Sequence, residues 1–179
     1  KIVFGDDRHP QEQFVYTNLS DMFPGYKYEM GKSTYKEEEV GEGGLVRSKP
    51  GMYTNVAVLD VESMHPTSIE QLNAFGKYTQ NFSDIKNARV AIKRKDYDSA
   101  KTMLGGILAK YLKDTAGAKA LSYALKIIIN IVYGLTAASF DNSFRDPRNI
   151  DNIVAKRGAL FMIELMLEVE KRGFNVIHV

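Results

Sequence analysis

Apolar residues are spaced differently in successive parts of the chain. From Val56 to Leu59 they run without interruption, which predicts a short strand over 53–59 that is buried on both faces. From about residue 83 onward they recur every three or four residues, which predicts helices. Residues 1–50 instead carry clusters of turn-forming residues, and we predict irregular structure there, with short strands such as 45–47.

Three helices are predicted between the first strand and the polar stretch that begins at residue 140. Ser83 is the expected N-cap of the first helix, and Asp96 is the expected N-cap of the second. The glycine pair at 105–106 interrupts the second helix. A turn at 115–117 then leads into an antiparallel third helix over about 118–133.

The third predicted helix has two different faces. Its apolar stripe consists of Leu121, Leu125, Ile128 and Val132, at helical spacing. Lys126, Asn130 and Tyr133 fall on roughly the opposite side of the same helix. We therefore expect this helix to pack with one face and to present polar chemistry with the other.

A polar, turn-rich stretch over 140–149 separates the third helix from a fourth, which we predict over about 152–171. Gly173 is a typical stop signal for that helix. The apolar residues of 174–179 predict a buried strand, and we expect its partner strand to be absent from the chain. Because the chain begins with Lys1 and ends within this strand, we expect it to be a piece of a longer protein.

Composition excludes several classes of protein. With 44% hydrophobic and 26% charged residues among 179, the chain is long and apolar enough to form a core. The lack of cysteine excludes disulfides and thiolate metal sites. A net charge of +2 does not by itself predict a polyanionic partner, so a nucleic-acid surface needs local clustering of cations. We find no signal peptide and no uninterrupted apolar stretch of membrane-spanning length, and we expect no membrane partner.

Two segments carry candidate chemistry. Asp60 ends the predicted strand and opens the segment 60–69, Asp-Val-Glu-Ser-Met-His-Pro-Thr-Ser-Ile. The segment 126–134 downstream is Lys-Ile-Ile-Ile-Asn-Ile-Val-Tyr-Gly. A carboxylate at a strand end can hold a hard cation such as Mg²⁺, and a cationic helix face can bind phosphate. Together they provide what template-directed nucleotidyl transfer needs, although a lone aspartate after a strand is more often only a turn former.

These two segments resemble motifs A and B of family B DNA polymerases. The resemblance implies an α+β fold, namely part of a polymerase palm, an antiparallel sheet with packed helices, into which an antiparallel helical fingers subdomain is inserted. Residues 40–80 would be palm with a template element and motif A, and 81–135 would be fingers that end in motif B. Residues 136–179 would be the palm helix and strand that lead to motif C, which is missing, and 1–39 would be an irregular segment upstream of the palm.

The same resemblance implies roles for individual residues. Asp60 and Lys126 would be catalytic, and Asp60 with the Val61 carbonyl would hold Mg²⁺, two ions in the complete enzyme, with Mn²⁺ as a substitute. The nucleotide-binding residues would be Ser63, Met64, His65, Arg89, Lys93, Lys126 and Asn130. Contacts with the base pair or template would come from Tyr133, Gly134, Gly43 and Gly44. His65 stands where the family has the tyrosine that excludes a ribose 2′-hydroxyl, and Gly41 stands where a tyrosine precedes the two glycines.

The implied activity is addition of deoxynucleotides to a primer 3′ end by a DNA-directed DNA polymerase. The stretches 140–149 and 151–158 are similar to polymerases of tailed bacteriophages, of the crAss-like kind, which implies phage DNA replication in a bacterial cytoplasm. The partners would be primer–template DNA, deoxynucleoside triphosphates and the remaining polymerase segments, which contain motif C, the thumb and a proofreading exonuclease domain.

We expect this chain alone to be inactive, because Asp60 is one carboxylate and a two-metal site needs a second strong anion. Two other functions stay open. In the first alternative, the chain would be a non-catalytic nucleic-acid-binding remnant, which kept the fold and lost the chemistry. In the second, it would be the N-terminal subunit of a polymerase that is encoded in two pieces.

Overall fold

The computed structural model describes residues 17–41, 43–145 and 152–179, and these form an α+β structure with two compact units. The sheet unit consists of the described residues of 17–68 and 152–179, and the helical unit consists of 69–145. The sheet unit is therefore discontinuous in sequence, and the helical unit is inserted between its two parts.

A three-stranded antiparallel sheet follows the short helix α1 (Leu19–Met22). Its strands are β1 (Lys27–Glu29), β2 (Lys32–Tyr35) and β3 (Glu38–Val40), paired in the order β1–β2–β3. Two-residue loops join the strands, and both residues of each loop have positive φ, as tight hairpins with the right twist require. These loop residues are Met30 and Gly31, then Lys36 and Glu37.

The prediction of irregular structure over 1–39 needs correction for 27–39, where the sheet lies. The hydrophobic pattern did not predict these strands because they are short and mostly exposed. In β2 only Ser33 and Tyr35 are buried, between exposed Lys32 and Thr34. One serine and one tyrosine give no clear alternation of apolar and polar residues. Residues 1–16 of the predicted segment lie outside the described residues.

The long helix of the sheet unit is α6 (Ile153–Lys171), and it confirms the helix predicted over 152–171. Asn152 has a left-handed conformation just before its first turn, and Gly173 has φ +87° just after its end, as the stop signal predicted. The side of α6 that faces the core is apolar except for Lys156. Its buried residues are Val154, Ala155, Lys156, Gly158, Ala159, Leu160, Ile163 and Met166.

A polar cluster connects α6 to the sheet. The Tyr35 hydroxyl donates a hydrogen bond to the Glu164 carboxylate, and the Lys36 ammonium forms an ion pair with the same carboxylate. These contacts from Lys36 and Tyr35 lower the pKa of Glu164, and burial together with Glu164 raises the pKa of Tyr35. The second hairpin is therefore held against α6 by charge as well as by packing.

The strand predicted over 53–59 is not formed. Every residue of 51–60 is exposed, with Val58 at 89% and Leu59 at 76%, and no described segment pairs with this stretch as a strand. A strand needs hydrogen-bonded neighbours for its backbone, so an apolar run alone does not create one. The prediction of a buried strand that ends at Asp60 is therefore wrong for this structure.

The C-terminal residues do have a partner within the chain. The Lys49 N–H donates to the Ile177 carbonyl at 2.8 Å, while Arg47 and Val179 exchange two backbone hydrogen bonds at 3.1 and 2.9 Å. Ser48 and His178 form an antiparallel bridge between them. The expectation that 174–179 lacks a partner is therefore wrong, and the partner lies at 47–49 rather than in a strand over 45–47. The predicted buried strand is also wrong, because only this isolated bridge forms and none of residues 174–179 is buried.

Helix α2 (Met64–Gln71) begins in the sheet unit and leads through a 3₁₀ turn into α3 (Thr79–Lys93) of the helical unit. Ser83 lies inside α3 and is not its N-cap, because the 3₁₀ turn at Gly76–Tyr78 starts the helical path earlier. The Thr79 hydroxyl accepts a hydrogen bond from the Phe75 N–H at 3.2 Å at this junction.

The next helix, α4 (Tyr97–Thr102), is capped as predicted. The Ser99 N–H donates to the Asp96 carboxylate at 3.2 Å. The pair Gly105–Gly106, both with positive φ, ends the α-helical path within a 3₁₀ turn, and a second 3₁₀ turn follows at Ala109–Tyr111.

The predicted turn at 115–117 is instead the first turn of α5 (Thr115–Thr136). Asp114 is the N-cap, and its carboxylate accepts a hydrogen bond from the Gly117 N–H at 2.7 Å. A Cβ on Gly117 would lie 2.5 Å from the Tyr111 carbonyl oxygen. The glycine therefore permits close packing of the helix start and does not mark a loop.

The helical unit is built around the contact between α3 and α5. Buried side chains on α3 are Phe82, Ile85, Ala88, Ala91 and Ile92, and those on α5 are Ala118, Leu125, Ile129, Val132 and Thr136. The predicted stripe on α5 is partly corrected, because Ile129 is 4% exposed whereas Ile128 is 39% exposed. Three consecutive isoleucines at 127–129 leave the register of the buried face ambiguous in the sequence.

Among the described residues, α5 is the one helix whose length and hydropathy would allow it to cross a membrane. This is weak evidence, because core helices of soluble proteins meet the same criterion. Lys119 and Lys126 interrupt its apolar residues. The absence of a membrane partner stays a prediction.

Candidate functional site

A cleft of about 400 Å³ lies in the helical unit between the end of α3 and the first half of α5. Arg89 and Lys93, one helical turn apart on α3, line it together with Lys126 of α5. The sequence suggested these three residues from two separate segments. The structure places them in one cleft.

The cleft is strongly cationic. Its lining contains Arg89, Lys93, Lys95, Lys119 and Lys126, and none of its described lining residues is acidic. The whole chain has 24 basic and 22 acidic side chains, so this is a local concentration of positive charge rather than a property of the protein. Such a cleft attracts an anion, because like charges in a concave surface reinforce one another.

One donor in the cleft is buried and unsatisfied. The Nε of Arg89 has no hydrogen-bond partner within the described chain, although the side chain as a whole is only half-buried. The Nε of Arg157, which lies outside the cleft, is also buried without a partner, so the case for a ligand rests on the cations of the cleft. A guanidinium suits a phosphate, which accepts bidentate hydrogen bonds.

Sequence reasoning missed two cations and two aromatic residues of the cleft, namely Lys95, Lys119, Tyr97 and Tyr123. A usable signal did exist for Lys119. It precedes Lys126 by seven residues, which is nearly two helical turns, so both fall on the same side of α5. The signal for Lys95 is weaker, because it lies in the loop after α3 with φ +63°.

The remaining predicted residues of α5 lie beyond the cleft. Asn130 and Gly134 are exposed and Tyr133 is half-buried, and none of the three lines the cleft. Tyr133 follows Lys126 by seven residues and therefore continues the same side of the helix. The predicted difference in exposure holds for Lys126 and Asn130, which are exposed, whereas Leu125 and Val132 are buried.

Asp60 belongs to the sheet unit and is fully on the surface. It lies in an extended, unpaired segment rather than at the end of a strand, which corrects the expectation of a rigid support. Val61 beside it is half-buried, and Ser63 has a left-handed conformation (φ +59°) just before α2 begins at Met64.

Met64 and His65 form the start of α2. Met64 packs against α6, where a Cβ on Gly158 would lie 3.0 Å from the Met64 Sδ, and its carbonyl accepts a hydrogen bond from the Ser68 hydroxyl at 2.9 Å. His65 remains on the surface, and partial desolvation lowers the pKa of its imidazole. The imidazole is therefore neutral at physiological pH.

Gly43 and Gly44 are exposed, and a Cβ on either would meet no heavy atom within 4 Å. Neither has positive φ, so the backbone here does not itself require glycine. Glycine at these two positions would instead allow another molecule to approach the backbone closely. Position 42 between Gly41 and Gly43 lies outside the described residues.

The atoms around Asp60 are oxygens, which a hard cation prefers, but there are too few of them for a complete site. Asp60 and Glu62 are carboxylates two residues apart, and the Val61 carbonyl lies between them. Among the described residues, no group of three or more His, Asp or Glu side chains gathers as a metal site. Asp60 and the Val61 carbonyl would therefore supply part of a Mg²⁺ site, and no complete two-metal centre is formed by the described residues.

The comparison with known proteins finds a similarity to a DNA polymerase. The chain is 29% identical over 188 residues to DNA polymerase II of Escherichia coli strain K12, across 96% of this chain. It spans 23% of the length of that polymerase. No family model matches the chain, and no solved structure matches it.

Proposed function

We propose that this chain carries the triphosphate-binding helices and one metal-binding carboxylate of a DNA-directed DNA polymerase. The observation that carries the proposal is the cationic cleft that Arg89, Lys93 and Lys126 line together. The similarity to DNA polymerase II supports the same function.

In this proposal the cleft binds the phosphates of an incoming deoxynucleoside triphosphate. The primer 3′-oxygen forms a bond to the α-phosphorus, the bond from that phosphorus to the bridging oxygen breaks, and pyrophosphate leaves. The hydroxyl proton goes to solvent. Negative charge grows on the leaving pyrophosphate, and the Lys126 ammonium with the Arg89 guanidinium offsets it from fixed positions.

Asp60 and the Val61 carbonyl would hold Mg²⁺, or Mn²⁺ in its place. The bound ions supply charge stabilisation of the attacking and leaving oxygens. Because the described residues provide too few carboxylates for two ions, we propose that further polymerase segments with motif C supply the rest. The chain alone would then bind nucleotide without extending a primer.

The other predicted residues complete the proposal. Ser63, Met64 and His65 would lie along the sugar and phosphates of the nucleotide, with the neutral imidazole of His65 in place of a tyrosine ring. The new base pair would be bordered by Asn130, Tyr133 and Gly134, which follow the part of α5 that lines the cleft. Gly43 and Gly44 would let the template backbone approach closely.

The resemblance of 140–149 and 151–158 to phage polymerases leads us to propose a role in bacteriophage DNA replication within the bacterial cytoplasm. Residues 146–151 of these stretches lie outside the described residues. Sequencing the genes on either side tests this part of the proposal. Neighbouring genes for capsid and tail proteins would support it, whereas bacterial housekeeping genes would contradict it.

Substitution of Lys126 tests the function itself. In primer extension by the protein expressed from its complete gene, Lys126→Ala should raise KM for deoxynucleotides about ten-fold and lower kcat, because a charged phosphate contact is lost. Affinity for the primer–template duplex should stay unchanged. Lys101→Ala is the matched control, since Lys101 pairs with Asp98 on α4 and does not line the cleft. A loss of duplex affinity with an unchanged KM would place Lys126 on DNA and refute the proposed cleft.

A further inference from the structure

The cationic cleft extends further along α5 than the three predicted residues require. Lys119 and Lys126 both line it, and both side chains are exposed. Seven residues of α-helix separate them by roughly 10 Å along the helix axis and return to nearly the same side. Lys119 therefore lies at one end of a row of cations, and Lys126 lies further along the same row.

Lys119 is not balanced by any acidic residue in the described lining of the cleft. Four other cations share this lining, so the cleft concentrates positive charge and favours an anion. Arg89 contributes a guanidinium to the same lining, and a guanidinium forms bidentate hydrogen bonds with phosphate. A polyanion with several charged groups in a row would neutralise these cations.

The direction of the bound nucleotide follows from the proposed function, on which this inference rests. If Asn130 and Tyr133 border the new base pair and Lys126 meets the triphosphate, the base lies toward the C-terminal end of α5. The phosphates then extend toward its N-terminal end. Lys119 is the cation of α5 on that side.

We propose that Lys119 binds the terminal phosphate of the incoming triphosphate and remains bound to pyrophosphate after the transfer. The contact is specific for phosphate length, since a monophosphate held near Lys126 does not reach Lys119. Lys119 thereby favours triphosphates over shorter nucleotides, and it also delays release of pyrophosphate.

Equilibrium titration of the protein expressed from its complete gene with dATP and with dAMP, at one ionic strength, tests this inference. Lys119→Ala should weaken dATP binding about three- to five-fold, as expected for one exposed charge contact, and leave dAMP binding unchanged. Lys119→Arg should restore dATP binding because it keeps the charge. Lys113→Ala is the matched control, an exposed lysine just before α5 that does not line the cleft.

The outcomes separate this inference from the proposed function. If Lys126→Ala weakens dATP binding while Lys119→Ala behaves like Lys113→Ala, the role of Lys119 is refuted and the nucleotide cleft stands. If Lys119→Ala weakens dAMP and dATP equally, Lys119 acts on the α-phosphate or through its general field, which also refutes the terminal contact. If neither Lys119→Ala nor Lys126→Ala changes dATP binding, the cleft is not a nucleotide site and both proposals fail.

Discussion

At the scale of single residues, Arg89 shows how function can oppose stability. Its Nε is buried and has no hydrogen-bond partner within the described chain, which is a cost that an apolar side chain of similar length would avoid. Residues that a fold tolerates only because of what they bind are found mainly at functional sites. Arg89 in the cationic cleft fits this pattern, since its guanidinium can donate hydrogen bonds to a phosphate there.

Arg89→Met should therefore separate stability from binding. We expect the free energy of unfolding to stay constant or to rise by about 1 kcal/mol, because an unsatisfied buried donor is removed. Affinity for dATP should fall about ten-fold, because a charged hydrogen-bonding group is lost. Urea unfolding and nucleotide titration of the same samples measure the two effects.

Arg172→Met is the matched control for Arg89→Met. The Arg172 Nε is 2.8 Å from a Glu168 carboxylate oxygen, and both side chains are exposed at the C-terminal end of α6. Its loss should leave dATP affinity unchanged and reduce stability only slightly. A marked loss of stability in Arg89→Met would show that the guanidinium supports the fold, and the ligand-based explanation of its unsatisfied Nε would then be wrong.

At the scale of elements, helices were predicted better than strands, for a physical reason. Helix α6 and the cap at Asp96 follow from local spacing and local hydrogen bonds, which are present in the sequence itself. The stretch 53–59 has the composition of a strand, but pairing depends on a distant segment. The hairpins at 27–40 formed with little apolar patterning, because their two-residue loops set the register.

The start of α5 provides a prediction at this scale, and the chain offers its own control. Gly117→Ala should lower the free energy of unfolding by about 1–2 kcal/mol, because its Cβ would lie 2.5 Å from the Tyr111 carbonyl oxygen. Gly134→Ala in the same helix meets nothing within 4 Å and should raise stability by up to about 1 kcal/mol. Thermal unfolding of both variants gives the comparison. Equal effects of the two substitutions would mean that α5 does not begin at Thr115.

At the scale of the whole molecule, the candidate residues divide between the two units. The cationic cleft belongs to the helical unit, and Asp60 belongs to the sheet unit, on a surface segment without strand pairing. Arg89, Lys93 and Lys126 were predicted through the resemblance to family B DNA polymerases, whereas Lys95 and Tyr97 line the cleft because of the path of the chain after α3. A site made from several elements depends on tertiary structure, and local patterns do not contain that information.

The most direct test of the proposed polymerase is primer extension with Asp60→Asn in the protein expressed from its complete gene. We expect a loss of rate of at least about a hundred-fold, with duplex affinity and thermal unfolding unchanged, because Asp60 is exposed and its proposed task is charge stabilisation of the reaction. Asp21→Asn, which alters an exposed aspartate in α1 of the same unit, should keep the wild-type rate. A wild-type rate in Asp60→Asn would contradict the assignment of Asp60 as a metal ligand and with it the proposed catalytic role of this chain.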